Sequence, residues 1–173
     1  MKKQNKTFIL VLISMLTAVS IILARVLGFY PVESIRISFE CVPILLAGIW
    51  LGPLAGALVG GIADFLGSIL SGLGFYPPLI ATPILLGLVS GFLAKIPAFQ
   101  AKKIWQLASI VLVSEVIGNI FVSPLPLSWL YGTPYWTLLV LRLPWKLLIL
   151  VADAFFVTIL HRFLYRSLMK KMV

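Results

Sequence analysis

Long apolar runs, joined by short polar or Gly- and Pro-containing segments, make up most of this 173-residue chain. The runs cover residues 7–27, 41–51, 53–71, 79–95, 104–123 and 136–161. Crossing the hydrocarbon core of a bilayer takes about 20 helical residues, so all but the second have spanning length. That second run, 41–51, is short enough for a re-entrant segment unless its helix starts earlier, near Ser34. The pattern predicts an all-α membrane protein with one six-helix domain over residues 1–173. Composition agrees, because 61% apolar and 11% charged residues exclude a water-soluble globule. The basic opening Met1 to Lys6 followed by an apolar run has the outline of a cleaved leader, yet the run is of spanning length and lacks an Ala-x-Ala exit. We read it as the first span.

Charge decides the second run. The net charge is +9, from fourteen Lys and Arg against five Asp and Glu. With six crossings, Lys2, Lys3, Lys6, Lys95, Lys102, Lys103, Arg162, Arg166, Lys170 and Lys171 share one side. These are ten of the fourteen cations, and the positive-inside rule puts that side, with both termini, in the cytoplasm. If the second run did not cross, the last seven of them would lie opposite the basic N-terminus. All sit in short flanks and loops, so no basic domain exists to bind nucleic acid.

Glycines recur at positions 48, 52, 56 and 60 around the Leu51-Gly-Pro53 turn, and Gly87 and Gly91 repeat the spacing. Small residues at every fourth position form a helix face on which backbones approach closely, which predicts helix packing rather than chemistry. The outer connections share another vocabulary: Leu27-Gly-Phe-Tyr-Pro31, Leu73-Gly-Phe-Tyr-Pro77, and a third loop with Trp129, Tyr131, Tyr135 and Trp136. Two readings stay open, an aromatic belt at the membrane surface and rings that converge over a pocket to stack on a flat ligand.

Four cations remain once topology is accounted for: Arg25, Arg36, Arg142 and Lys146, all in the outer half. Ionisable groups at bilayer depth cost on the order of 3 kcal/mol each, so they face a bundle interior or a wet cavity unless they snorkel to the interface. Among the acids, Glu33 and Glu40 flank the first outer loop, and Asp64, Glu115 and Asp153 lie inside spans three, five and six. Helical spacing sets Arg142, Lys146 and Asp153 on one side of span six, Glu115 beside Asn119, and Asp64 beside Ser68. Three spans thus offer polar faces, either to a ligand or to one another as neutralised pairs that hold the bundle. The single cysteine, Cys41, excludes an internal disulfide, and the single histidine, His161, leaves too few soft ligands for structural zinc. His161, beside Arg162, reads as an interfacial residue.

No phosphate-binding Gly-x-x-x-x-Gly-Lys-Ser/Thr loop, His-Glu-x-x-His or Gly-x-Ser-x-Gly elbow is present. Pattern alone describes a solute-binding membrane subunit that draws energy from partners. An intramembrane enzyme using Glu115 and Asp153 as acid and base, or a structural membrane protein whose cations pair with its own acids, are the other readings.

The segment Arg36-Ile-Ser-Phe-Glu40-Cys-Val-Pro43, then Leu51-Gly-Pro53, Gly56, Gly60, Asp64-Phe-Leu-Gly67 and the Gly74-Phe-Tyr-Pro-Pro78 loop resemble the folate-specific substrate-binding (S) subunit of energy-coupling factor transporters. The resemblance covers nearly the whole chain. It implies a subunit of the bacterial cell membrane that is not itself an enzyme, uses no cofactor, and binds folate from outside. A transmembrane coupling (T) subunit and two ATPase subunits would turn it over. An S subunit for riboflavin or pantothenate is the alternative within the class. Folate carries a flat pterin with a donor edge and a glutamate tail with two carboxylates, which call for carboxylate or amide partners, stacking rings and guanidinium forks. The resemblance accordingly implies Arg25, Arg36 and Arg142 at the tail, with Lys146 as an auxiliary charge. Asp64, Glu115, Asn119 or Glu40 would read the pterin edge, and Phe39, Phe75, Tyr76, Trp129, Tyr131 and Trp136 would stack or gate. On the first helix, Ser14-x-x-x-Ala18 stands where these subunits often carry an Ala-x-x-x-Ala face for docking on the coupling subunit, and Arg25 falls on the same face as Ser14.

Overall fold

The structure, a computed structural model, describes residues 6–26, 28–32, 35–70, 76–99 and 104–172. Helix α1 (Lys6–Arg25) is followed by a hairpin of β1 (Phe29–Val32) and β2 (Ile35–Ile37). Then come α2 (Cys41–Leu51), α3 (Pro53–Leu70), α4 (Ala81–Lys95), α5 (Ile104–Glu115), α6 (Pro124–Tyr131) and α7 (Tyr135–Met172). A π-helical stretch, Val116–Val122, continues α5, and short 3-10 turns flank α4 at Pro77–Ile80 and Pro97–Phe99. Five helical stretches are long and apolar enough to cross a membrane, and α2 is the shorter sixth. The chain is an all-α membrane protein.

The apolar runs mark these helices closely, with three corrections. The segment before α2 is no helix from Ser34: it pairs as an antiparallel hairpin in which Phe29 faces Ile37 and Val32 faces Ile35. Tyr30, Val32, Ile35 and Ile37 are β-branched or aromatic, and they favour the extended form. The segment with Trp129 and Tyr131, expected as loop, is helix α6. Pro124 and Pro126 occupy its first turn, where backbone N–H groups have no intrahelical acceptor to lose. Span six runs on past residue 161 to Met172, since no Gly or Pro interrupts the basic tail.

Helix α2 has no polar face because it has no exposed one. It packs against α1, α3, α4 and α7, and Leu45 and Ala47 are fully enclosed. The turn to α3 is a single residue, Gly52, at φ +98°, where an L side chain is strained, followed by Pro53 at the first helical position.

Glycines hold α2, α3 and α4 together. A Cβ on Gly56 would meet Gly87 O at 2.6 Å, and one on Gly91 or Gly60 would approach Pro53 or Pro83 backbone to less than 3.0 Å. Position 53 thus faces 91, 56 faces 87 and 60 faces 83, so α3 and α4 run antiparallel with their backbones in contact. The fourfold glycine spacing is a packing device, as its pattern predicts.

Two contacts set α2 beside α7 in parallel. Cys41 lies near Asp153, and nine residues along α2 the Trp50 Nε1 donates to His161 Nδ1 at 2.9 Å. His161 is buried at 7% exposure, because the α2 indole covers it. Trp50→Phe removes this donor. It is expected to lower stability by about 0.6 to 1.7 kcal/mol, the range for interhelical hydrogen bonds in membrane proteins. A thermal melt of the purified protein reads the loss, and an unshifted melting temperature refutes it.

Candidate functional site

Because α2 starts at Cys41, level with Asp153, its first residue lies about 27 Å along α7 from Tyr135 at 1.5 Å rise per residue. Over that length α7 has no α2 beside it. The preceding chain is the hairpin, whose β2 strand packs on α7.

Along this stretch α5 and its π-helical continuation run antiparallel to α7, and polar side chains meet in three successive rungs. Nearest the α7 N-terminus, Arg142 Nη1 donates to Ser123 Oγ at 3.1 Å. In the middle, Lys146 Nζ donates to Asn119 Oδ1 at 3.4 Å. Deepest, the ligating atoms of Glu115, Asp153 and Cys41 all lie within 4.8 Å of one another. Arg142, Asn119, Glu115 and Asp153 are buried and Lys146 half-buried. The expected shared face of Arg142, Lys146 and Asp153 is therefore real, and Arg142 is enclosed rather than snorkelling.

Asn119 ties three helices together. Its Nδ2 donates to Glu115 Oε2, one turn back, and to Cys41 Sγ on α2 at 3.3 Å, while its Oδ1 accepts from Lys146 of α7. It sits in the π-helical stretch, where Ser123 N–H reaches back five residues to Gly118 O at 2.9 Å. Such wide turns concentrate at functional sites because they re-aim side chains out of the α-helical register.

A second polar group forms between α1 and α3. Arg25 Nη2 lies 3.5 Å from Ser68 Oγ, which itself donates to Asp64 O at 2.7 Å. Gly67 makes room for the guanidinium, since a Cβ there would come within 2.9 Å of Arg25 Nε. The residues expected at one site thus divide between two groups.

Glu40 stands next to the first group. Its backbone carbonyl accepts from Ser20 Oγ at 2.9 Å, and its carboxylate is within electrostatic range of Glu115, Asp153 and Lys146. Phe39 packs edge-on against Phe156 of α7, ring centres 5.1 Å apart. Arg36 lies on β2, Tyr76 precedes the turn into α4, and Phe75 falls outside the described residues. Trp129, Tyr131 and Trp136 are exposed, and Trp136 meets Tyr135 edge-on at 5.3 Å. Ser14 and Ala18 lie exposed on α1 among Leu10, Val11, Met15 and Ile22, an outward-facing apolar stripe.

Sequence reasoning missed Cys41 and Ser123 as neighbours of the site and left Asp153 open. A cysteine at a helix start and a serine before a proline carry no signal by themselves. Only the starting depth of α2 and the antiparallel register of α5 and α7 bring them in.

A model of the family described as "ECF transporter, substrate-specific component" matches residues 9–161. The chain belongs to this family. Among solved structures it is similar to one described as "Crystal structure of FolT bound with folic acid", with a TM-score of 0.72 and 24% identity over 86% of this chain and 89% of that one. At that identity the likeness establishes the fold. A search of curated proteins gives no significant match. As a substrate-specific component, the chain is the part of a transporter that recognises the solute, and the rungs between α5 and α7 are buried polar groups for which that role offers a use.

Proposed function

We propose that this substrate-specific component captures folate from outside the cell and hands it to an energised complex. The observation that carries the reading is the set of rungs between α5 and α7. Cations (Arg142, Lys146) stand at one end and carboxylates (Glu115, Asp153) at the other, in a fold shared with FolT bound with folic acid. Folate is polarised the same way, with N–H donors on the pterin and carboxylates on the tail. Arginine donates to a carboxylate in a two-pronged, charge-assisted fork, and Glu115, held through one oxygen by Asn119, offers the other as an acceptor to a ring edge. Arg36 joins the tail contacts from the hairpin. Arg25 and Asp64 line the α1–α3 side, and Glu40 completes the polar rim. Phe39 and Tyr76 flank the ring, and Trp129, Tyr131 and Trp136 cover the entrance.

In this reading the protein sits in the bacterial cell membrane with both termini in the cytoplasm. The exposed stripe around Ser14 and Ala18 docks on a transmembrane coupling subunit, and two ATPase subunits supply the energy. Small residues on such a stripe permit close helix approach.

The test is titration of the purified protein with folate, riboflavin and pantothenate. Saturable folate binding, with the others at least tenfold weaker, is the expected result. Tight riboflavin or pantothenate binding without folate binding ends the folate reading while leaving the family intact.

A further inference from the structure

Asp153 is fully enclosed by protein, yet neither of its carboxylate oxygens has a hydrogen-bond partner among the described residues. Glu115 is almost as enclosed. Its Oε2 accepts from Asn119, and its Oε1 has no partner among those residues. Both carboxylates converge with Cys41 Sγ inside a 4.8 Å sphere of separation. Three unpartnered oxygens therefore belong to two carboxylates that meet at the deepest rung. Enclosing carboxylate oxygens without donors costs several kcal/mol, so the region is built for a group rich in N–H or O–H. The neighbouring protein donors leave Asp153 unserved: the Asn119 amide goes to Glu115 Oε2 and Cys41, Lys146 Nζ to Asn119 Oδ1, and the Cys41 thiol to Glu115.

Three ligands of this kind also suggest a metal ion. The Lys146 ammonium opposes it, being within electrostatic range of Cys41, Glu115 and Asp153 alike. A second cation at that point meets repulsion, whereas a neutral donor edge does not.

We infer that Asp153, together with Glu115, is the floor of the substrate site and accepts the N–H edge of the substrate's flat heterocycle, so that the substrate binds ring first with its acidic end toward Lys146 and Arg142. The inference rests on the folate reading and adds to it a residue and an orientation. An amino-pyrimidinone edge presents an NH2 and a ring N–H side by side, which a carboxylate meets with two parallel hydrogen bonds. The acidic tail cannot take that place, because it would set carboxylate against carboxylate. Lys146 and Arg142 lie seven and eleven residues before Asp153 on the same helix, about 10 and about 16 Å toward its start, where a tail extended from the ring arrives. A flavin edge fits worse. Its ring N–H is flanked by two carbonyls, and these would face the carboxylates.

The experiment titrates folate, pterin and 4-aminobenzoylglutamate into the full-length protein, wild type and Asp153→Asn. It adds 2-desamino-2-methylfolate, which lacks the amino donor, on the wild type. Asp153→Asn is expected to weaken folate and pterin by about tenfold or more and to leave 4-aminobenzoylglutamate unchanged. On the wild type the 2-methyl analogue is expected to bind about tenfold or more weaker than folate. Equal wild-type affinity for folate and this analogue overturns the inference whether or not the variant folds. So does an Asp153→Asn protein that melts like the wild type and keeps its folate affinity, or one that loses 4-aminobenzoylglutamate as much as pterin. A wild type that binds no folate overturns the proposed function itself, and this assignment with it.

Discussion

Gly87→Ala is expected to deprive the cell of folded protein. Gly87 faces Gly56 across the α3–α4 contact, and a Cβ on it would lie less than 3.0 Å from the Gly56 carbonyl carbon and from Ala57 N. These are backbone atoms of a packed helix, so no rotamer change relieves the clash. The two helices must separate along a seam where 53 meets 91 and 60 meets 83 as well. Adding one methylene to a packed core costs about 1 to 3 kcal/mol when side chains can adjust, and here the cost is expected at about 3 kcal/mol or more. Yield of monodisperse protein and a thermal melt measure it. Gly61→Ala is the control, because its Cβ would meet only the Ile84 side chain, at 3.2 Å, and side-chain adjustment absorbs that. If Gly87→Ala melts like the wild type, the glycine seam is not the rigid contact described above.

Arg142 should matter most for the ligand. On the folate reading, Arg142→Ala weakens binding by about a hundredfold, and Arg142→Lys by about tenfold, since lysine keeps the charge and loses the planar fork. Arg142 is 8% exposed and its guanidinium donates to Ser123 Oγ, so its direction is set before the ligand arrives. Charge-assisted hydrogen bonds contribute about 1.5 to 3 kcal/mol each, and a two-pronged fork justifies the larger figure for the truncation. The fragment pattern should mirror that of Asp153: 4-aminobenzoylglutamate affinity falls with Arg142, and pterin affinity does not. An unchanged folate Kd in Arg142→Ala removes this residue from the site.

Most of the helices were legible because lipid imposes a simple rule. A segment crossing hydrocarbon must satisfy its own backbone and cover it with apolar side chains, so each span announces itself as a long run. The end of the 41–51 run was legible in the Leu51-Gly-Pro53 turn, where Gly52 takes a positive φ and Pro53 starts the next helix, while the sequence leaves the start of that run open. Glu115 with Asn119, and Arg142 with Lys146 and Asp153, were legible as pairs and a face because helical periodicity decides which side chains are neighbours on one helix. The hairpin, α6 and the extended α7 were not. Their composition is compatible with several local structures, and packing chose among them.

By itself the sequence determined that the chain lives in a bilayer, which residues share each helical face, and that Arg25, Arg36, Arg142 and Lys146 are cations beyond the needs of topology. Those properties depend on local periodicity and on the cost of burying charge in lipid. Only the tertiary structure decided that Arg25 joins Asp64 and Ser68 on one side while Arg142, Lys146, Asn119, Glu115 and Asp153 stack on another, and that Cys41 lies at the floor of that stack. Which faces of different helices meet depends on their relative depth and rotation. Here the glycine contacts of α2, α3 and α4 and the short reach of α2 set both, and no spacing within a single helix encodes them.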